Sequence, residues 1–281
     1  MRVAAVQLNS TADTTANMAA ADRLTRAAAA DGAHLIVLPE KWTVLGREQD
    51  LRAGAQALDG PAISWARELA RELHVDLIAG SIVERRADGR GADGQQLANL
   101  SVHIDPAGEL RAAYRKLHMF DVEVEGRTYN ESAVTEPGDE IVLSATAEGV
   151  ELGMAICYDL RFAALFGALA ARGARIVVLP SAFTLPTTRD HWEILLRARA
   201  IENEVFVIAA NQVGAHPGGQ RSGGRSMIVD PWGVVLASAT DGEGWIAAEL
   251  DLERQLEIRA QLPVLAHRRT DVYGSLAERR T

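Results

Sequence analysis

The sequence is poor in several things that would have named a function at once. It holds one cysteine, Cys157, which excludes an intramolecular disulfide framework, a four-cysteine zinc site and a Cys-x-x-Cys redox pair. Basic residues are in deficit, with 29 Lys and Arg against 38 Asp and Glu and a formal net charge of −9. A nucleic-acid binder needs a basic face to displace phosphate counterions, so no nucleic-acid partner is expected. Long apolar runs are missing too. After Met1-Arg2 the run Val3-Ala4-Ala5-Val6 ends at Gln7, short of a signal-peptide core, and nothing approaches the roughly eighteen apolar residues of a membrane helix. The chain reads as cytoplasmic, with no membrane partner. It contains no Gly-x-Ser-x-Gly elbow, no His-Glu-x-x-His and no clustered Asp/His spacing, so neither serine-hydrolase nor metal chemistry has a motif. Gly218–Gly224 is glycine-rich but lacks the Gly-Lys-Ser/Thr of a phosphate loop. No metal and no cofactor are expected.

What is present is ample core material: 281 residues, 48% of them apolar, enough for one large domain. Short β-branched runs predict strands at Val3–Leu8, Leu35–Leu38, Asp76–Val83, Leu97–Ile104, Leu110–Tyr114, Gly149–Ile156, Arg175–Leu179 and Val205–Ala210. Three more are expected near Met227–Val229, Val234–Ser238 and Trp245–Glu249. Helices are predicted at Ala16–Ala30, Ile63–Leu73, Phe162–Arg172 and Asp190–Asn203. With no linker to divide it, the chain reads as a single α/β domain over residues 1–281, with two sheets or one large mixed sheet. Two glycine- and charge-rich loops, Arg85–Gln95 and Gly214–Arg225, read as surface excursions, the second able to reach over a site.

Cys157 stands where an apolar strand runs into a turn expected to open a helix. That placement exposes a side chain, aims the following N–H groups at whatever the sulfur attacks, and sets a helix dipole to favour the thiolate. Read alone, a free cysteine is more often a small buried hydrophobe than a nucleophile. A thiol needs a base or a cation to react at neutral pH. Of the seven histidines, His191 and His216 could serve only by fold-back. Glu40 ends the apolar run Leu35-Ile36-Val37-Leu38-Pro39, Lys116 follows the Leu110–Tyr114 strand, and Glu131 lies in Tyr129-Asn130-Glu131-Ser132. Each taken singly is an ordinary surface residue.

Together these blocks resemble the nitrilase-type carbon–nitrogen hydrolases. The likeness continues through Leu179-Pro180-Ser181-Ala182-Phe183, the helix from His191 to Ala200, Ile228–Gly233, Leu262-Pro263-Val264 and Arg268–Tyr273, and so covers essentially the whole chain. Cys-Tyr-Asp-Leu-Arg-Phe together with His-Trp-Glu resembles the omega-amidase and deaminated-glutathione amidase branch; true nitrilases typically show Cys-Trp-Glu.

The resemblance implies a four-layer αββα sandwich, two mixed sheets face to face with helices outside. It also implies a homodimer formed through the helical layer on the cysteine side, with the tail of about residues 262–281 contacting the partner. The family's Glu–Lys–Cys triad falls on Glu40, Lys116 and Cys157, and its second glutamate on Glu131. Lys116 and the Tyr158 N–H would form the oxyanion hole. Arg161 is either a substrate-carboxylate clamp or structural, as an ion pair with Asp159 or a helix-end contact. Phe183, Thr184 and His191 are expected near the pocket, although the His-Trp-Glu helix could be core alone, stabilised unaided by the Glu193–Arg197 pair. The implied partner is a small-molecule substrate, an amide bearing a carboxylate. A nitrile, an N-carbamoyl amino acid or an aliphatic amide are the alternatives on the same fold, and an idle scaffold is the alternative outside enzymes.

Overall fold

The computed structural model describes residues 1–86 and 97–273. Most of the Arg85–Gln95 loop and the end of the tail lie outside the described residues.

One mixed sheet runs in the order β17 (Gly244–Glu249), β1 (Arg2–Gln7), β2 (Leu35–Val37), β3 (Asp76–Ile78), β5 (Leu97–Ile104) and β4 (Ile82–Arg85), with β6 (Leu110–Arg115) on the other edge of β5. The second sheet runs β16 (Val235–Ser238), β15 (Met227–Val229), β12 (Phe206–Asn211), β11 (Ile176–Ser181), β10 (Glu151–Met154) and β9 (Leu143–Ala145). Two small hairpins, β7–β8 (Asp121–Val124, Arg127–Asn130) and β13–β14 (Val213–Ala215, Arg221–Gly223), stand apart.

Strand periodicity decides the layers, because alternate side chains point to opposite faces. Val3, Ala5, Leu35 and Val37 join the core shared with the second sheet, while Ala4, Val6, Ile36 and Leu38 join the opposite core. Helices α1 (Thr14–Ala30) and α3 (Pro61–Leu73) close that opposite face through Ala21, Leu24, Ile63 and Ala66. On the far side of the second sheet, α4 (Ala163–Ala171) and α6 (Glu193–Asn203) contribute Phe166, Leu169, Leu196 and Ala200. The result is the four-layer αββα sandwich. Short helices α2 (Glu48–Ala53) and α5 (Leu185–Thr187) lie in connections, and α7 (Leu252–Gln261) and α8 (Thr270–Tyr273) end the described chain. Across the sheets, the fully buried His103 contacts Asp76 Oδ1 at 3.0 Å and Ser144 Oγ at 2.7 Å, joining β3 and β5 to β9.

Three local expectations are corrected. The strand predicted over Asp76–Val83 is two strands, β3 and β4, on one edge of β5 and parted by Ala79-Gly80-Ser81. The helix predicted from Asp190 begins instead with a π-helical turn, Thr188–Trp192, before α6. Cys157 opens a short 3₁₀ turn, Cys157–Arg161, and α4 starts only at Ala163.

Candidate active site

Glu40 leaves β2 through a turn held by the break between β3 and β4. The Ser81 N–H donates to Pro39 O at 3.2 Å, Ser81 O accepts from the Trp42 N–H at 3.2 Å, and Ser81 Oγ accepts from the Lys41 N–H at 3.0 Å. The Trp42 indole donates to Ala79 O at 2.7 Å. Gly80 has φ +53°, and a Cβ there would stand 2.2 Å from Pro39 O, so no side chain fits where the two segments cross. The second sheet grips the same turn: Glu40 N–H donates to Ser181 O at 3.3 Å, and Gln212 Nε2 donates to Glu40 O at 3.0 Å.

Lys116 follows β6 and is buried. Its Nζ lies 3.1 Å from Glu40 Oε1 and 2.6 Å from Glu131 Oε2. Glu131 comes from the turn after β8, and its other oxygen accepts from Lys41 Nζ at 2.8 Å and Asn99 Nδ2 at 3.1 Å. Asn99 Nδ2 also reaches Glu40 Oε1 at 2.7 Å, and Glu40 Oε2 accepts from the Ala182 N–H at 2.8 Å. Cys157, buried and in the left-handed region at φ +47°, lines the same cavity as Glu40 and Ala182.

The formal charges of Glu40, Glu131, Lys41 and Lys116 cancel, which is how four ionisable side chains share one desolvated place. Burial works against the Lys116 ammonium, but Glu131 and Glu40 outweigh it and hold its pKa well above the ordinary lysine value. Burial would raise the Glu131 carboxyl, but Lys116 and Lys41 hold it far below the usual carboxylate range. Burial, with the Glu40 carboxylate beside it, pushes the Cys157 thiol well up, against the pull of Lys116. The expected helix-dipole activation of the thiolate is therefore corrected: no long helix begins at the cysteine, and its surroundings favour the thiol.

A cavity of about 350 Å³ opens onto this cluster. Its walls include Glu40, Lys116, Glu131, Cys157, Tyr158, Phe183 and Thr184, together with Gln220, Arg221 and Ser222 from the β13–β14 hairpin. The Gly214–Arg225 loop thus does reach the site. Arg161 and His191 are not in the wall. The Arg161 guanidinium sits 5.4 Å over the Phe183 ring and 5.9 Å over the Tyr158 ring, with Nη2 3.3 Å from His191 Nδ1. It makes no pair with Asp159, whose carboxylate is taken up by Tyr114, His118 and the Ile156 N–H. His216 is buried against Ser10 O and Ser222 Oγ, outside the wall.

Residues 2–260 match the model of the carbon–nitrogen hydrolase family. The chain belongs to that family. It is 41% identical over 276 residues to the deaminated glutathione amidase of Bos taurus, covering 98% of this chain and 84% of that protein. It is 36% identical over 274 residues to the omega-amidase NIT2 of Pongo abelii, covering 97% and 96%. A solved structure of a glutamate-to-glutamine mutant of the Nesterenkonia sp. AN1 amidase superposes with a TM-score of 0.81 at 26% identity, over 98% of this chain and 95% of that one. That structure carries the acetamide moiety of fluoroacetamide added covalently at its active-site cysteine.

Sequence reasoning missed Lys41 and Asn99 in this carbon–nitrogen hydrolase, and considered Asp159 only as a partner for Arg161, where its partners are Tyr114, His118 and the Ile156 N–H. Lys41 reads as a surface lysine because nothing in the sequence announces its left-handed backbone at φ +51°. A signal for Asn99 existed: a polar amide in the otherwise apolar β5 run Leu97-Ala98-Asn99-Leu100 needs buried partners.

Proposed function

We propose that this carbon–nitrogen hydrolase is an amidase. It cleaves a small, carboxylate-bearing amide, of the deaminated glutathione or omega-amide type, to a carboxylate and ammonia. The observation that carries the reading is the Lys116 ammonium, held by Glu40 at 3.1 Å and Glu131 at 2.6 Å beside a buried thiol. Glu40 takes the Cys157 proton and the thiolate attacks the amide carbon. The oxyanion is met by the Lys116 Nζ and the Tyr158 N–H, which sits early in the turn, where N–H groups lack intrahelical acceptors. Glu40 returns the proton to the leaving nitrogen, so the C–N bond breaks with ammonia released and a thioester left. Glu40 then deprotonates the water that cleaves the thioester, restoring the thiol. Glu131 keeps Lys116 charged and aimed throughout.

The likeness to deaminated glutathione amidase and the cysteine adduct in the Nesterenkonia amidase support this reading. The test is ammonia release from omega-amides by the parent and by Cys157→Ala. Loss of turnover with unchanged thermal melting is expected; turnover persisting in C157A would overturn the reading.

The same proposal includes a cytoplasmic homodimer. A reactive thiol must stay reduced, which favours the cytoplasm. Ile194 (69% exposed) and Ile201 (46%) on α6, with Trp232 (54%) in the turn between β15 and β16, leave apolar surface suited to a second copy. Light scattering should give twice the chain mass.

A further inference from the structure

The cavity holds more positive charge than the Cys157 cluster uses. Lys41, Arg47, Lys116 and Arg221 line it, against Glu40, Glu48 and Glu131. Both lysines are engaged with Glu40 and Glu131, and Glu48 is held by Arg52 at 2.9 Å. Arg47 and Arg221 are left without a carboxylate partner among the described residues. They are exposed, whereas Lys116 and Cys157 are buried, so the free guanidinium groups mark the mouth and the sulfur marks the floor. Both arginines line the cavity, and the hairpin that carries Arg221 packs against Arg47. Gly218, in the turn of the β13–β14 hairpin, lies so close to Arg47 that a Cβ would be 3.1 Å from its Cγ. Arg127 Nη2 donates to Gly218 O at 2.7 Å, fixing the hairpin that carries Arg221.

We infer that Arg221, with Arg47 lining the same cavity, binds the carboxylate at the end of the substrate remote from the scissile amide. A guanidinium fork suits a carboxylate, and apolar walls such as Leu45, Leu51 and Phe120 strengthen the pairing by excluding water. Arg161 lies over the Phe183 ring and outside the wall, so Arg221 is the better-placed fork. The inference rests on the amidase reading and adds to it the group that selects an acidic substrate.

Two measurements test it. The first compares kcat/KM for the monoamide of a five-carbon dicarboxylic acid with that for the same amide carrying a methyl ester in place of the carboxylate. The parent should prefer the charged amide, and Arg221→Gln should lower that preference roughly 10–100-fold, with Arg161→Gln leaving it in place. An unchanged preference in R221Q, or a preference lost in R161Q and kept in R221Q, overturns the inference. The second measures glutarate binding to C157A by calorimetry, with and without R221Q. If neither amide is turned over, the amidase reading fails, and this second arm still decides. Weaker binding in R221Q upholds the subsite; equal binding, or none in either protein, refutes it. Arg221→Lys replaces R221Q if the latter does not melt as the parent does, with the same ratio expected to fall because the fork is lost.

Discussion

Asp159, two residues after Cys157, accepts a 2.6 Å hydrogen bond from the hydroxyl of Tyr114, two residues before Lys116. The same carboxylate accepts from the Ile156 N–H at 2.8 Å and the His118 N–H at 3.2 Å, and lies 2.7 Å from His118 Nδ1. Burial, reinforced by the Asp159 charge, pushes the Tyr114 hydroxyl far up in pKa, so it remains a donor. A buried anion thereby clamps the cysteine turn of one sheet to the lysine end of the other.

Removing the clamp's phenol should cost stability and rate together. Tyr114→Phe deletes a hydrogen bond to a buried charge, worth about 2 kcal/mol, which urea denaturation would read directly. Its kcat should fall as well, because the thiol and the ammonium lose their common anchor. A Y114F protein matching the parent in both would refute the clamp.

Glu40→Gln should uncouple thiol reactivity from turnover. The Glu40 charge and hydrogen bond raise the Cys157 pKa, so their loss lowers it. Alkylation by iodoacetamide should then have its pH midpoint shifted downward, while amide turnover drops by about 10²–10⁴ with the proton carrier gone. A midpoint that moves upward contradicts the electrostatics.

Lys41→Met should flatten the acid limb of stability. The folded pKa of Glu131 is depressed from 4.5, so its contribution is fully present above about pH 4.5 and is lost as pH falls toward the folded value. Lys41 is one of the two cations responsible. The difference in melting temperature between pH 7 and pH 3 should therefore be smaller in K41M than in the parent, and smallest in E131Q.

Gly80→Ala probes the turn that presents Glu40. A left-handed backbone alone costs a non-glycine residue about 1–2 kcal/mol, and the 2.2 Å approach to Pro39 O adds overlap. Gly149 provides the comparison, with φ +79° and open space around its Cα. G80A should lose more stability than G149A, and only G80A should lose turnover beyond its loss of folded protein.

The parts legible in the sequence were those where one residue type has one job. Continuous apolar runs such as Leu35–Leu38 mark strands buried on both faces, and they are. Glu40, Lys116 and Glu131 became interpretable only as a set, and the structure brings them within 3.1 Å of one another through Lys116. What stayed hidden depends on the third dimension. The β7–β8 hairpin alternates only between exposed and half-buried residues over four residues a strand, a weak signal. Gly80 reads as one more glycine until Pro39 is seen against it. Arg161 looks like a clamp beside the cysteine, but its backbone turn points it onto aromatic rings. The arginines that do face the cavity, Arg47 and Arg221, lie 174 residues apart in the numbering (221 minus 47).

The proposed base and ammonium hang from one sheet, and the sulfur hangs from the other. Proton transfer therefore crosses a boundary held by side-chain packing and a few cross-sheet hydrogen bonds rather than by a ladder. Turnover becomes a gauge of how firmly the sandwich is shut. Under heat or denaturant, slippage between the layers would silence the enzyme while each layer kept its own strands paired, so loss of activity would register a fault that circular dichroism does not yet see.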